Sequence, residues 1–210
     1  FINVRVTDIV SPVNFYVVNV SSPNIDIIQK AMENFEPTKQ EDFAPKNDQI
    51  VAGLFEEDSK WYRVQIVKAP KNGLNYQVQF IDFGTYATLT LNELAPLNNK
   101  ELEKLPALAK PSSLSGVVPP ENNSEWFTIG LDSFSNVAMN NEFAARIDSS
   151  STHGPLFLPL YETAPKPAAE KTSSESDDDL SITQRLIKAG LLLVNPRTNA
   201  KWSYVVDELE

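Results

Sequence analysis

Hydrophobic and polar positions alternate in short runs through the middle of the chain. Between residues 50 and 91 there are four such runs, IVAGLF, WYRVQIVK, LNYQVQF and TYATLTL. Short alternating runs that are rich in β-branched and aromatic residues predict strands. Tight turns between them predict that the strands pair as neighbours. The stretch therefore predicts a small barrel.

Three turns join these strands. The acidic segment 56–59 forms the first turn, and Asn72-Gly73 forms the second. Asn-Gly favours a type I′ hairpin turn because both central residues need a positive φ. The third turn follows Phe80 and contains Gly84, which relieves the backbone.

The chain before this stretch predicts a hairpin and a helix. Residues 1–20 carry two β-branched and aromatic runs separated by a serine-proline break, which is typical of paired strands. From Asn24 to about Phe35, apolar side chains recur at steps of three and four, so they share one helical face. A polar linker over 36–48 leads into the barrel.

The chain after the barrel predicts alternating helices and strands. In order they are a helix at 99–105, a strand at 113–118, a helix at 122–140, a strand pair at 142–147 and 156–161, a helix at 181–189, a strand at 191–194 and a final helix from about residue 198. Residues 164–179 are acidic and of low complexity, which predicts a disordered loop.

These flanks predict an inserted domain. The leading hairpin is too small to cover the apolar face of the helix that follows it. The economical solution joins residues 1–44 and 98–210 into one domain, with the barrel at 45–97 inserted between them. The fold class is therefore predicted as α+β and rich in strands.

Charge and composition reduce the number of function classes that fit this chain. The chain has 28 acidic and 18 basic residues, a formal net charge of −10, and its Lys and Arg are scattered. A nucleic-acid surface needs clustered basic groups, so a cationic partner is favoured. Cysteine is absent, which excludes thiolate metal sites and disulfides. No apolar run is long enough to span a membrane. Because the chain begins at Phe1, we expect it to be a piece of a longer protein.

The amino-acid sequences of four segments resemble the extended Tudor module of the Tudor staphylococcal nuclease family. The segments are WYR at 61–63, FIDFG at 80–84, NFYV at 14–17 and LIKAGL at 186–191. The resemblance implies an SH3-like Tudor barrel inserted in a split, staphylococcal-nuclease-like OB fold. It also implies a place after intact nuclease-like domains in an RNA-processing protein, tied to RNA-induced silencing complexes, with the cytoplasm as the main compartment and the nucleus as a second one.

The same resemblance implies a binding site without catalysis, metal or cofactor. The family binds Arg/Gly-rich protein peptides that carry methylated arginine, preferably symmetrically dimethylated, and contacts RNA through the parent protein. The walls of the aromatic cage here would be Phe55, Tyr62, Phe80 and Phe83, and Thr85 stands where the family has an asparagine.

This chain departs from the family pattern at three of these positions. Phe80 and Phe83 replace tyrosines, which keeps the aromatic faces and removes two hydroxyls. Thr85 replaces an amide with a shorter hydroxyl. We expect a cage that selects cations but binds more weakly, or with less preference for methylation symmetry.

Other interpretations of the same residues stay open. The aromatic residues could form a packed core with no pocket, leaving a scaffold with a vestigial cage. Arg63 and Asp82 are interpreted as a structural ion pair that supports the cage turn. The acids at 56–58 could attract a basic peptide or only solvate a turn.

The flanking segments allow two alternative functions, a nuclease and an RNA-binding module. A nuclease would need clustered carboxylates beside its arginines, and the flanks offer Arg5, Arg146, Arg185 and Arg197 without such a cluster. His153 lies in a Ser/Thr/Gly loop typical of a surface. The OB-like part could instead bind single-stranded RNA, in which case affinity would fall steeply with salt.

Overall fold

The computed structural model describes residues 1–38, 42–71, 74–118, 124–147, 155–162 and 180–194. The predicted Asn-Gly turn, the acidic loop at 164–179, His153 and the predicted final helix lie outside these residues. The chain forms two compact units. The barrel unit runs from Val20 to Ala109, and the split unit joins Phe1–Asn19 to the chain from Lys110 onward. The predicted strand-rich α+β fold is confirmed.

The split unit contains eight strands and two helices in its described part. They are β1 (Ile2–Ser11), β2 (Asn14–Asn19), β8 (Ala109–Leu114), β9 (Val117–Val118), α3 (Ser124–Ala138), β10 (Glu142–Ala145), β11 (Leu156–Leu158), β12 (Leu160–Tyr161), α4 (Ile182–Lys188) and β13 (Leu193–Val194). Six strands form one sheet in the order β11-β8-β2-β1-β10-β12, and β13 pairs with β9. The predicted hairpin is β1 and β2.

Helix α4 shows how local sequence sets an element boundary. The Ser181 hydroxyl accepts a hydrogen bond from the backbone N–H of Gln184 at 3.2 Å, and the Gln184 side chain accepts one from the Ser181 N–H at 2.8 Å. This reciprocal capping box satisfies two N–H groups at the start of the helix. Gly190 follows the helix with φ +72°, a left-handed value that suits glycine.

Two strand predictions were wrong in detail. The predicted strand over 113–118 is interrupted by a turn at Gly116, which has φ +81°, and its two parts are β8 and β9. The predicted partner of β10 at 156–161 is also divided. Only β12 pairs with β10, whereas β11 pairs with β8 in parallel. Pro159 lies between β11 and β12 and has no N–H with which to continue a ladder.

The barrel unit contains one curled antiparallel sheet and short helices. Its elements are α1 (Asn24–Glu33), β3 (Ile50–Phe55), β4 (Lys60–Lys68), β5 (Asn75–Phe80), β6 (Tyr86–Thr90), a 3₁₀ turn at Leu91–Glu93, β7 (Leu94–Ala95) and α2 (Lys100–Lys104). The strand order is β6-β5-β4-β3-β7. The strands β3 to β6 and the two helices agree with those predicted for this stretch, whereas the 3₁₀ turn and β7 were not predicted.

The packing at Gly53 shows that the sheet curls on itself. Gly53 lies on β3 and Leu89 on β6, which is three strands away in the sheet order. A Cβ atom built on Gly53 would nevertheless lie 3.0 Å from Leu89 Cδ1 and 2.7 Å from Val64 Cγ1. Glycine at this position therefore lets two distant strands approach each other and close the barrel around one core.

Both helices of the barrel unit pack on its outer surface. Ile28 and Met32 of α1 share a buried cluster with Ala52 of β3 and Leu102 of α2. Because these contacts hold the helices to the sheet, the compact unit extends from Val20 to Ala109. The predicted domain boundaries, after residues 44 and 97, lie inside this range.

Candidate functional site

Four aromatic residues meet at one end of the barrel, and they are those predicted as cage walls. Phe55 ends β3, Tyr62 lies in β4, Phe80 ends β5, and Phe83 lies in the turn after β5. The ring centroids are separated by 6.3 Å for Phe55 and Tyr62, 5.3 Å for Phe55 and Phe80, 6.3 Å for Tyr62 and Phe80, and 5.1 Å for Tyr62 and Phe83.

The rings stand nearly at right angles to one another. The planes of Phe55, Tyr62 and Phe80 are inclined by 74–81° in each pair, so the three rings are arranged like the sides of a box corner. Phe83 adds another wall, at 84° to Tyr62. Edge-to-face contact satisfies the ring quadrupoles, so this arrangement is stable without a ligand.

Burial varies across the cluster. Phe80 is 2% exposed and belongs to the barrel core, Phe55 and Tyr62 are half-buried, and Phe83 is 39% exposed. The cluster therefore has a buried base and an exposed rim. Core packing accounts for Phe80, whereas the exposure of Phe83 sets it apart from a core residue.

The backbone of the third turn determines where Phe83 lies. The carbonyl of Phe80 accepts hydrogen bonds from the N–H groups of Phe83 at 3.0 Å and Gly84 at 2.8 Å. The Phe80 N–H in turn donates to the carbonyl of Thr85 at 2.8 Å. Gly84 has φ +101°, which a residue with a side chain rarely adopts. Thr85 is half-buried and lies on the same turn as Phe83.

A buried ion pair lies behind this turn. The side chain of Arg63 is 0% exposed, and its Nε donates to Asp82 Oδ2 at 2.9 Å, with a second contact between Nη2 and Oδ1. The same guanidinium donates to the carbonyls of Leu102 and Leu105, each at 2.8 Å, and of Pro106 at 3.1 Å. All these partners belong to the barrel unit. Arg63 and Asp82 therefore join the turn after β5 to α2 and to the segment that follows it.

Asp58 contacts Tyr62, although the sequence prediction treated it only as one of three turn acids. The hydroxyl of Tyr62 donates to Asp58 Oδ2 at 2.6 Å, and the backbone N–H of Lys60 donates to Asp58 Oδ1 at 3.1 Å. The second bond is an Asx turn, in which an aspartate accepts from the backbone two residues on. That turn preference was the signal in the sequence. Glu56 and Glu57 are exposed neighbours.

The environment of Tyr62 changes its acidity. Burial, the hydrogen bond to Asp58 and the charge of Asp58 together raise the pKa of Tyr62 from 10.0 to about 12. Each of these factors favours the neutral phenol, because the phenolate would lose hydration and would face a carboxylate.

This shift predicts a pH dependence of stability. Above pH 10 the unfolded chain loses the Tyr62 proton while the folded chain keeps it until about pH 12. The stabilisation is therefore complete below pH 10 and is lost between pH 10 and about 12. We expect the free energy of unfolding of wild type to fall more over this interval than that of Tyr62→Phe. Urea unfolding at stepped pH values measures both, and parallel curves would contradict the expectation.

Two of the arginines that the sequence offers in the flanks form ion pairs with acids of the split unit. Arg5 pairs with Glu142, and Arg185 pairs with Glu162. The described residues hold no group of three or more His, Asp or Glu side chains that could bind a metal ion. Among the described helices, none has both the length and the apolar character that crossing a membrane requires.

A curled antiparallel sheet of five strands with an aromatic cluster at one end is the architecture of a small SH3-like barrel. The sequence profile of the Tudor domain matches residues 1–116, which is more than half of the chain. The chain therefore belongs to the Tudor domain family.

Relatives extend the similarity beyond the barrel. The chain is 26% identical over 210 residues to "Staphylococcal nuclease domain-containing protein 1" of Drosophila melanogaster, a match that covers 98% of this chain and 21% of the relative. It matches only 11% of the length of "RING finger protein 17" of Homo sapiens, at 24% identity over 90% of this chain. The chain thus spans about a fifth or less of these curated relatives.

Solved structures show the same architecture. The extended Tudor domain of Drosophila melanogaster Tudor-SN (p100) superposes with a TM-score of 0.79 at 25% identity, covering 99% of this chain and 90% of that one. Extended Tudor domain TD3 of mouse TDRD1, solved in complex with a MILI peptide containing dimethylarginine, superposes with a TM-score of 0.73 at 19% identity, covering 92% and 93%. The resemblance to the Tudor staphylococcal nuclease family is confirmed.

Proposed function

We propose that this chain is a non-catalytic module that binds methylated arginine in Arg/Gly-rich protein peptides. The cage walls are Phe55, Tyr62, Phe80 and Phe83, with Thr85 at the rim. The observation that carries the proposal is the set of near-perpendicular rings, with Phe80 buried at the base and Phe83 exposed. Right-angled aromatic walls, one of which is exposed to solvent, suit a small flat cation.

Methylated arginine is the side chain whose chemistry fits such walls. A methylguanidinium is flat, positively charged and weakly hydrated, so aromatic faces replace its water at little cost. A well-placed ring contributes about 0.5–2 kcal/mol to cation binding, with the upper end requiring removal of water. Unmethylated arginine keeps more N–H donors that form hydrogen bonds with water. It therefore loses more hydration free energy on entering the cage.

The surroundings of the cage support a basic partner. The acidic residues 56–58 lie in the turn between Phe55 and Tyr62, and the whole chain has a formal net charge of −10. A basic Arg/Gly-rich segment is attracted to such a surface over a Debye length of about 8 Å at physiological salt.

A solved structure with the same fold supports the proposal. The mouse TDRD1 domain, which shares the fold, was solved with a dimethylarginine peptide. By resemblance, the module acts within a longer nuclease-bearing protein of the cytoplasm and prefers symmetric dimethylarginine.

Calorimetry on an exposed cage wall tests the proposal. We expect wild type to bind a short Gly-Arg-Gly peptide with symmetric dimethylarginine at a Kd between about 1 µM and 1 mM, and the unmethylated peptide more weakly. Phe83→Ala removes one wall, and we expect it to weaken binding by about three- to tenfold.

Phe157→Ala is the matched control for Phe83→Ala. Both residues are phenylalanines, 40% exposed at Phe157 and 39% at Phe83, but Phe157 lies in β11 of the split unit. The control variant should bind as wild type does. Equal affinity of wild type and Phe83→Ala for both peptides would reject the proposed function.

A further inference from the structure

The cage contains a polar contact that its aromatic walls alone do not require. The Tyr62 hydroxyl donates to Asp58 Oδ2 at 2.6 Å across the turn between β3 and β4. A hydrogen bond of this length to a carboxylate belongs to the short, charge-assisted type. The other cage rings are phenylalanines, which have no hydroxyl to anchor in this way.

Asp58 is itself held in place by the backbone. Its Oδ1 accepts the N–H of Lys60 at 3.1 Å, so the two carboxylate oxygens have separate partners. Ser59, which lies between Asp58 and Lys60 in the chain, has φ +57° and completes a tight local turn. The carboxylate therefore has a fixed orientation from which it can hold the ring.

We propose that Asp58 is a positioning residue for the cage and acts through Tyr62. The proposal rests on the function proposed above. Tyr62 contacts all three of the other rings. Its centroid lies 6.3 Å from those of Phe55 and Phe80 and 5.1 Å from that of Phe83. Rotation of this ring would therefore disturb the whole set of walls.

The hydrogen bond opposes that rotation. Tyr62 is only half-buried, so packing restrains it less than it restrains Phe80. A ring held in the bound orientation before the ligand arrives loses less side-chain entropy on binding. The carboxylate also draws the phenol proton toward itself, which makes the ring richer in electrons and its face more attractive to a cation.

A double-mutant cycle tests this inference with a Gly-Arg-Gly peptide carrying one symmetric dimethylarginine. We expect Asp58→Ala and Tyr62→Phe each to weaken binding by about three- to tenfold. Both changes remove the same hydrogen bond. The double variant should therefore bind the peptide no more weakly than whichever single variant has the lower affinity. Calorimetry measures the affinities, and thermal unfolding checks that each variant is folded.

Two matched variants separate positioning from charge. Asp58→Asn keeps an acceptor oxygen near the Tyr62 hydroxyl but removes the charge, so we expect it to retain most of the affinity lost in Asp58→Ala. Glu57→Ala removes an exposed acid from the same turn, so it takes away one attracting charge, and we expect a loss well below that of Asp58→Ala.

The outcomes distinguish the two proposals. If wild type does not bind the peptide, the proposed function and this inference both fail. If wild type binds but the losses of Asp58→Ala and Tyr62→Phe multiply in the double variant, only the inference is overturned. It is also overturned if Asp58→Ala binds normally, or if Asp58→Asn and Glu57→Ala lose as much as Asp58→Ala.

Discussion

Replacing Arg63 with alanine is expected to lower the free energy of unfolding by about 3–5 kcal/mol, the usual cost of breaking a buried ion pair. The change leaves the Asp82 carboxylate buried with its charge uncompensated. It also removes the donor to the carbonyls of Leu102, Leu105 and Pro106. Buried acceptors left without a donor add their own penalty, because they have lost water without replacing it.

Urea unfolding of Arg63→Ala and a surface control measures this effect. Arg5 also pairs with an acid, Glu142, but the two side chains are 52% and 51% exposed. Arg5→Ala should therefore cost no more than about 1 kcal/mol. Arg63→Lys should be nearly as damaging as Arg63→Ala, since an ammonium cannot reproduce the planar fork of contacts. Similar losses for Arg63→Ala and Arg5→Ala would contradict the structural role of the buried pair.

Replacing Phe80 with alanine is expected to destabilise the barrel by about 3–5 kcal/mol, as is typical when a buried phenylalanine is truncated. Phe80 is 2% exposed and packs with Val64 and Leu89 in the core. The cavity left behind would be lined by side chains of several strands, which cannot all move to fill it.

The matched comparison for Phe80→Ala is Phe83→Ala. Both residues belong to the same turn and the same ring cluster, but Phe83 is 39% exposed and should cost about 1 kcal/mol or less. Chemical denaturation of the two variants measures the difference. A loss at Phe83 as large as that at Phe80 would show that the rim of the cage is part of the core.

The meeting of these four rings could be predicted only through the family resemblance, because aromatic spacing alone favours a packed core. The motif FIDFG places Phe80 and Phe83 on either side of a turn, and Gly84 marks that turn in the sequence. The buried role of Phe80 and the exposed position of Phe83 could not be separated in this way, since both residues have the same apolar character.

Contacts between segments that are distant along the chain could not be predicted from the sequence. Nothing local in WYR indicates that Arg63 reaches carbonyls 39 to 43 positions later. The packing of α1 on the barrel also depends on where its apolar face finds a partner, and periodicity predicts the face without the partner. Asp58 lies between these cases, since its Asx turn is a local preference but its bond to the Tyr62 hydroxyl depends on where that ring packs.

The discontinuity of the split unit has a consequence for synthesis on the ribosome. Strand β1 needs β10 as its sheet neighbour, and Arg5 and Glu142 on these strands are 137 positions apart. Both edges of the leading hairpin therefore stay unpaired until the inserted barrel and β8 have been made, and the β1 edge stays unpaired until β10 follows α3. An unpaired edge strand is a template for association with other chains. Nascent chains that stop before β10 are thus the form of this protein most exposed to aggregation.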